Sequence, residues 1–241
     1  MAIRDLKGTV DDKIPVSTII VSVFDKSGLE DFIPGLLKIN CDLLILSTGG
    51  TYRKIAEMLG EDASENLMEV AEYTGFPEME GGLVKTLHPK IHAGLLGERH
   101  NPEHRGYLRE LGGDFIDMVV VNLYPFEDIV KKIEAGEIDP KTGKPYNFES
   151  ARGNIDIGGP TMLRAAAKNF PSCAAICDPK DYAETLRRLR ENSGCTTFDQ
   201  RLSLAKKVFD VTADYDAKIA RYIGQQTIKA LEAIRACYQF T

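Results

Sequence analysis

Short apolar runs alternate with amphipathic stretches along this chain. The runs STIIVSVF (17–24), DLLILS (42–47), DMVVVNL (117–123) and CAAICD (173–178) are nearly continuous in aliphatic or β-branched residues, and a polar or Gly-containing turn and helical spacing follow. Strands that are apolar on both faces and separated by helices form a parallel sheet covered on both sides. Helical spacing predicts helices over 29–37, 52–59, 103–111, 160–168 and 180–190, the last introduced by Asp178-Pro179, a capping residue with proline in the first turn. From Thr197 onward the pattern is helical with no further strand. The expected architecture is α/β, a mainly parallel sheet with helices on both faces over residues 1–196 and a helical extension over 197–241 packed on the same domain. No internal repeat or low-complexity segment interrupts it. The polar segment DPKTGKPYNFESARG (139–153) reads as a solvated loop, with a lid or a partner contact as alternatives.

Composition narrows the class. A chain of 241 residues with 43% hydrophobic positions holds one substantial core or two small ones and is too apolar to be disordered. With 36 acidic against 30 basic residues, the net charge of -6 leaves no footprint for nucleic acid, so an anionic ligand needs a local positive pocket. No apolar run approaches the roughly 20 residues that span a bilayer. The N-terminal MAIRDLKGTVDDK lacks the apolar core of a signal peptide. Five scattered cysteines without a CxxC pair read as reduced thiols, which places the expected location in the cytoplasm.

Candidate chemistry starts after DLLILS, where Ser47-Thr48-Gly49-Gly50-Thr51 leads into a helix. Two glycines let the backbone turn sharply and approach a ligand, the hydroxyls donate hydrogen bonds, and the helix start points free N–H groups at the turn. This chemistry suits a phosphate monoester. The string is neither a Walker loop nor GxGxxG, and a plain turn is the alternative. Ser22 to Gly28 closes the first strand, and in a doubly wound sheet such strand ends line one crevice, so Lys26 is expected to meet the phosphate that Thr48 and Thr51 cradle. The four histidines, His88, His92, His100 and His104, form two HxxxH pairs, the spacing of a helical zinc site. Pro89 and Pro102 interrupt that geometry, so capping, packing or exposure is expected and no metal.

STGGT, GFPEM, VKTLHPKIHAGLL, VVVNLYPF, NIDIGGPTMLRAAAKN and KVFDVTADYDAKIARY occur in this order between about Val16 and Tyr222. Together they resemble the IMP cyclohydrolase domain of the bifunctional purine biosynthesis enzyme. The resemblance implies a methylglyoxal-synthase-like fold, a Rossmann-like α/β domain, and closure of 5-formamidoimidazole-4-carboxamide ribotide to IMP without a metal or organic cofactor. It implies Lys85, Tyr124, Asp156 and Lys168 as catalytic positions, with acid and base roles left open among them. Ser22, Lys26, Thr48, Gly49, Gly50 and Thr51 match its phosphate positions, and Thr86, Asn122, Ile157 and Gly158 those around the base and reacting groups. Lys26, Lys85 and Lys168 are then expected to form one positive pocket. A homodimer is implied, and a separate formyltransferase acting upstream is expected for a stand-alone cyclohydrolase. Leu83 departs from the family's usual arginine, for which Arg53 or Arg152 is the expected substitute, and Phe24 stands where a small hydroxyl residue is usual. A methylglyoxal-synthase-type lyase would lack the VKTLHP and IDIGG strings. A noncatalytic regulatory module of the same fold could dispense with Lys85 or Lys168, and both are present.

Overall fold

A computed structural model describes residues 9–77, 79–226 and 228–239. Glu78 of the GFPEM string, residues 1–8 of the polar N-terminus and the last two residues of the expected extension lie outside the described residues. In chain order the elements are β1 (Lys13–Pro15), β2 (Thr18–Val23), α1 (Leu29–Leu37), β3 (Leu44–Ser47), α2 (Gly49–Leu59), α3 (Ala63–Asn66), β4 (Leu67–Glu69), α4 (Val70–Thr74), α5 (Pro89–Leu96) and α6 (Pro102–Glu110). They continue with β5 (Met118–Asn122), α7 (Phe126–Glu134), α8 (Phe148–Gly153), α9 (Gly158–Lys168), β6 (Ala174–Ile176), α10 (Tyr182–Glu191), β7 (Cys195–Thr197), α11 (Phe198–Gly224) and α12 (Ile228–Arg235).

The described residues form two compact units, one running up to Leu123 and including Gly158–Phe209, the other Tyr124–Ile157 with the chain from Asp210 onward. The expected boundary after residue 196 falls inside the first unit, and α11 is shared between the two.

The first unit is built on a five-stranded sheet in the order β4-β3-β2-β5-β6, with every pair parallel. The four apolar runs supply β2, β3, β5 and β6, trimmed by at most two residues at either end. Ile19, Ile20 and Val21 are all fully buried, as a strand covered on both faces requires. Along α1, Leu29, Phe32, Ile33 and Leu36 recur at i, i+3, i+4 and i+7 and enter the core beside Ile19, Val21 and Val23. Each such side chain contributes about 1.5–3 kcal/mol of burial.

Order reverses between β2 and β5: from β2 the sheet grows through β3 and β4 on one side, and through β5 and β6 on the other. Such a switch point leaves a crevice at the C-terminal ends of the strands.

A separate antiparallel ribbon pairs β1 with β7, which the sequence pattern does not announce because each strand has only three residues. Arg201, fully buried, secures it: Nε donates to the Phe170 carbonyl, Nη1 to those of Asp12 and Thr196, and Nη2 to those of Asp11 and Pro171. A guanidinium can be removed from water only when its donors are met in this way.

In the second unit the expected loop over 139–153 is corrected. Its first part turns back on itself through a bridge between Ile138 and Pro145, but its end is α8. There the Asn147 side chain accepts from the Ser150 amide, and the Ser150 hydroxyl accepts from the Asn147 amide, a reciprocal cap readable in the NFES string. Phe126 meets Tyr215 and Tyr222 edge-on, and Phe148 stacks on Tyr222.

Candidate active site

At the C-terminal end of β3 the chain extends through Thr48 and enters α2 at Gly49, whose φ of 51° lies in the left-handed region that disfavours side chains. The amides of Gly49 and Gly50, which open α2, have no partner within the helix by construction, and that turn carries no acidic residue. Three cationic side chains come to it from different segments. A β-carbon built on Gly49 would stand 3.2 Å from Lys85 Nζ, and one built on Gly50 would stand 3.9 Å from both Arg53 Nη2 and Lys26 Cε. Lys26 is held there by donating to the carbonyls of Val23 and Phe24, each at 3.2 Å.

Asn122, at the end of β5, spans the switch point. Its Oδ1 accepts the amides of Phe24 (2.7 Å) and Asp25 (2.8 Å), and its Nδ2 donates to the Asp25 carbonyl at 2.8 Å. These bonds fix the loop that carries Lys26. Ser22 lies half-buried on β2, paired with Val121.

Thr51 differs from expectation. Its buried hydroxyl accepts the Val23 amide (3.1 Å) and donates to the Val23 carbonyl (3.0 Å), while its own amide bonds the Thr48 carbonyl. The single hydroxyl proton is committed to β2, so Thr51 ties α2 to the sheet instead of donating to a ligand.

The VKTLHP string meets the glycine end of the IDIGG string inside the first unit. Thr86, buried, packs so closely on the start of α9 that a β-carbon on Gly158 would stand 2.5 Å from its hydroxyl oxygen. A side chain at position 158 would have to displace the Thr86 hydroxyl. From this point α5 and α9 run side by side, and at their far ends the Asn169 side chain donates to the carbonyls of Leu95 (2.8 Å) and Gly97 (3.1 Å).

Lys168 therefore requires a correction. It ends α9, about 15 Å along the helix from Gly158 at 1.5 Å per residue. It is exposed beside Asn169 and does not join Lys26 and Lys85 within one chain.

The histidines do structural work. His88 caps α5, its Nδ1 accepting the Lys90 amide, and His104 Nδ1 accepts the Glu98 amide. His100 faces Asp11 at 2.8 Å, and His92 is partly buried within α5, donating to the Thr86 carbonyl. No group of three or more His, Cys, Asp or Glu suited to a metal occurs among the described residues.

Tyr124, Asp156 and Ile157 belong to the second unit. Tyr124 is about half exposed, and Ile157 is exposed. The Asp156 amide donates to the Tyr215 hydroxyl at 2.8 Å, and that hydroxyl reaches the Asn154 carbonyl at 3.4 Å, stapling the turn that carries the carboxylate. Burial pushes the Tyr215 phenol above its ordinary pKa, and the nearby Asp156 charge adds to this. Tyr215 is a positioning residue the sequence reading passes over, although it lies in the matching ADYD string. Arg152 is occupied: hydrogen bonds from Arg152, and then Tyr238, hold the Glu149 carboxyl down to about 2. Of the two expected substitutes for a guanidinium at position 83, Arg53 is the one at the Gly49-Gly50 turn.

The MGS-like domain family matches residues 28–161, and the AICARFT/IMPCHase bienzyme family matches residues 166–240. The chain is 46% identical over 205 residues, 85% of its length, to the bifunctional purine biosynthesis protein PurH of Chlorobium phaeobacteroides. To the PurH of Rhizobium rhizogenes it is 43% identical over 225 residues, 93% of its length. It spans little more than a third of these curated relatives, 36% and 38% respectively. Among solved structures, the crystal structure of ForH superposes with a TM-score of 0.65 at 32% identity, over 85% of this chain and 97% of that one.

Proposed function

This chain belongs to the MGS-like domain family, and from that premise we propose that it is an IMP cyclohydrolase of purine biosynthesis, closing 5-formamidoimidazole-4-carboxamide ribotide to IMP with loss of water. The observation that carries the reading is the convergence of Lys26, Arg53 and Lys85 on the Gly49-Gly50 helix start, a cradle for the phosphate of a nucleotide, in a chain so similar to PurH.

Nucleophile and electrophile are already joined in this substrate, so the protein gains most by fixing rotamers and moving protons. The carboxamide nitrogen attacks the formyl carbon, a C–N bond forms, and the nitrogen gives up a proton. The former formyl oxygen takes a proton to become a hydroxyl, then a second one, and leaves as water while the formamido nitrogen gives up its proton and forms the ring C=N bond to that carbon. In this reading the bare amides of Gly49 and Gly50, with Ser22, Thr48 and Lys26, hold the phosphate. Thr86, Asn122, Ile157 and Gly158 shape the space around the base. Lys85, Tyr124 and Asp156 supply the charge and proton exchange. Lys168 serves the reaction from a second copy of the chain in a homodimer, because its own helix carries it away from its own pocket.

The test is incubation of the purified chain with the formamido ribotide, following the absorbance of IMP. Acceleration over buffer is expected. A chain that binds nucleotides but gives no acceleration is a noncatalytic binding module.

A further inference from the structure

Arg53 follows Gly50 by three residues on α2, so the two share one face of the helix, and long helical side chains lean back toward the N-terminus. Its Nη2 accordingly stands 3.9 Å from the place a Gly50 β-carbon would take, as near as Lys26 Cε. Two observations show that the fold itself does not ask for this arrangement. Gly50 has no positive φ, and its nearest contacts are the flexible ends of these two side chains, so alanine would fit sterically. Arg53 is exposed and has no hydrogen bond or ion pair among the described residues. A guanidinium leaning over the positive end of a helix, beside a lysine and with no acidic residue in that turn, is electrostatically unfavourable until an anion arrives.

We propose that Arg53 is a substrate-binding residue that makes this pocket require a phosphate monoester dianion: its planar fork closes over the outer phosphate oxygens, while Lys26 and the first-turn amides hold the inner ones. The proposal deepens the cyclohydrolase reading and rests on it for the identity of the nucleotide.

Calorimetry with IMP and with inosine tests it on the purified chain. Arg53→Ala should weaken IMP by about tenfold or more, the loss typical of a charge-assisted contact, and leave inosine unchanged. Arg53→Lys should recover part of the loss. In turnover, the alanine variant should raise KM with kcat kept. Wild-type IMP affinity in Arg53→Ala, or equal losses for IMP and inosine, overturns the proposal. A wild-type chain that shows the Arg53-dependent IMP affinity without ring closure sinks the cyclohydrolase reading alone. Ring closure in a chain whose IMP affinity ignores Arg53 sinks only this one.

Discussion

Adjacent residues in the Gly49-Gly50-Thr51 string do different work, and substitutions separate them. Gly49 is needed by the backbone, since its φ is positive, whereas Gly50 has room for a side chain. Gly50→Ala is therefore expected to hold or raise stability, by up to about 0.5–1 kcal/mol, while weakening IMP through the added methyl in the slot. Thermal melting and calorimetry on one preparation check both signs. A drop in stability would mean that Gly50 is structural. Thr51→Val leaves the Val23 amide without its partner and the Val23 carbonyl with Lys26 alone, and is expected to cost about 1–3 kcal/mol of stability in denaturant unfolding, with Thr51→Ser close to wild type. The residue types for binding phosphate are readable in the string. Which hydroxyl faces the ligand is not, because the direction of Thr51 depends on β2, 28 residues away in sequence.

At the scale of elements, strands and helices with strong periodicity are legible, and those governed by single caps are less so. The runs behind β2, β3, β5 and β6 are apolar enough to need burial on both faces, and no other element could satisfy them. α5 and α8 are short, and each depends on a capping side chain, His88 and Asn147 respectively. α5 also carries a titration. Burial lowers the pKa of His92 below its ordinary value, and its bond to the Thr86 carbonyl offsets this only in part. The unfolded chain then binds a proton more readily at this site than the folded one. Stability should be flat well above the unfolded value of about 6.5 and should fall as pH drops through it toward the lower folded value. Melting temperatures from pH 8 to 5 should show this loss, and His92→Gln should flatten that part of the curve; an unchanged slope would remove His92 as its source.

Across the whole molecule, the expected positive pocket changes membership: Lys26 and Lys85 are joined by Arg53, and Lys168 leaves by the length of α9. If Lys168 acts across a homodimer, co-expressed Lys85→Ala and Lys168→Ala chains should regain about a quarter of wild-type turnover. Half of randomly paired dimers are mixed, and each of those has one intact site. No recovery above the two parents would exclude the exchange. The sequence by itself determined the class of fold, the glycine turn after β3 and the order of the family strings, since hydrophobic period and turn chemistry are local properties. It also carried the resemblance from which the reaction is inferred. Only the tertiary structure decided which of the named residues meet. Contacts such as Thr51 with Val23, Asn122 with the β2 loop and Thr86 with Gly158 join segments that are distant in sequence, and parallel strand order and helix direction, which no local pattern encodes, bring them together or hold them apart.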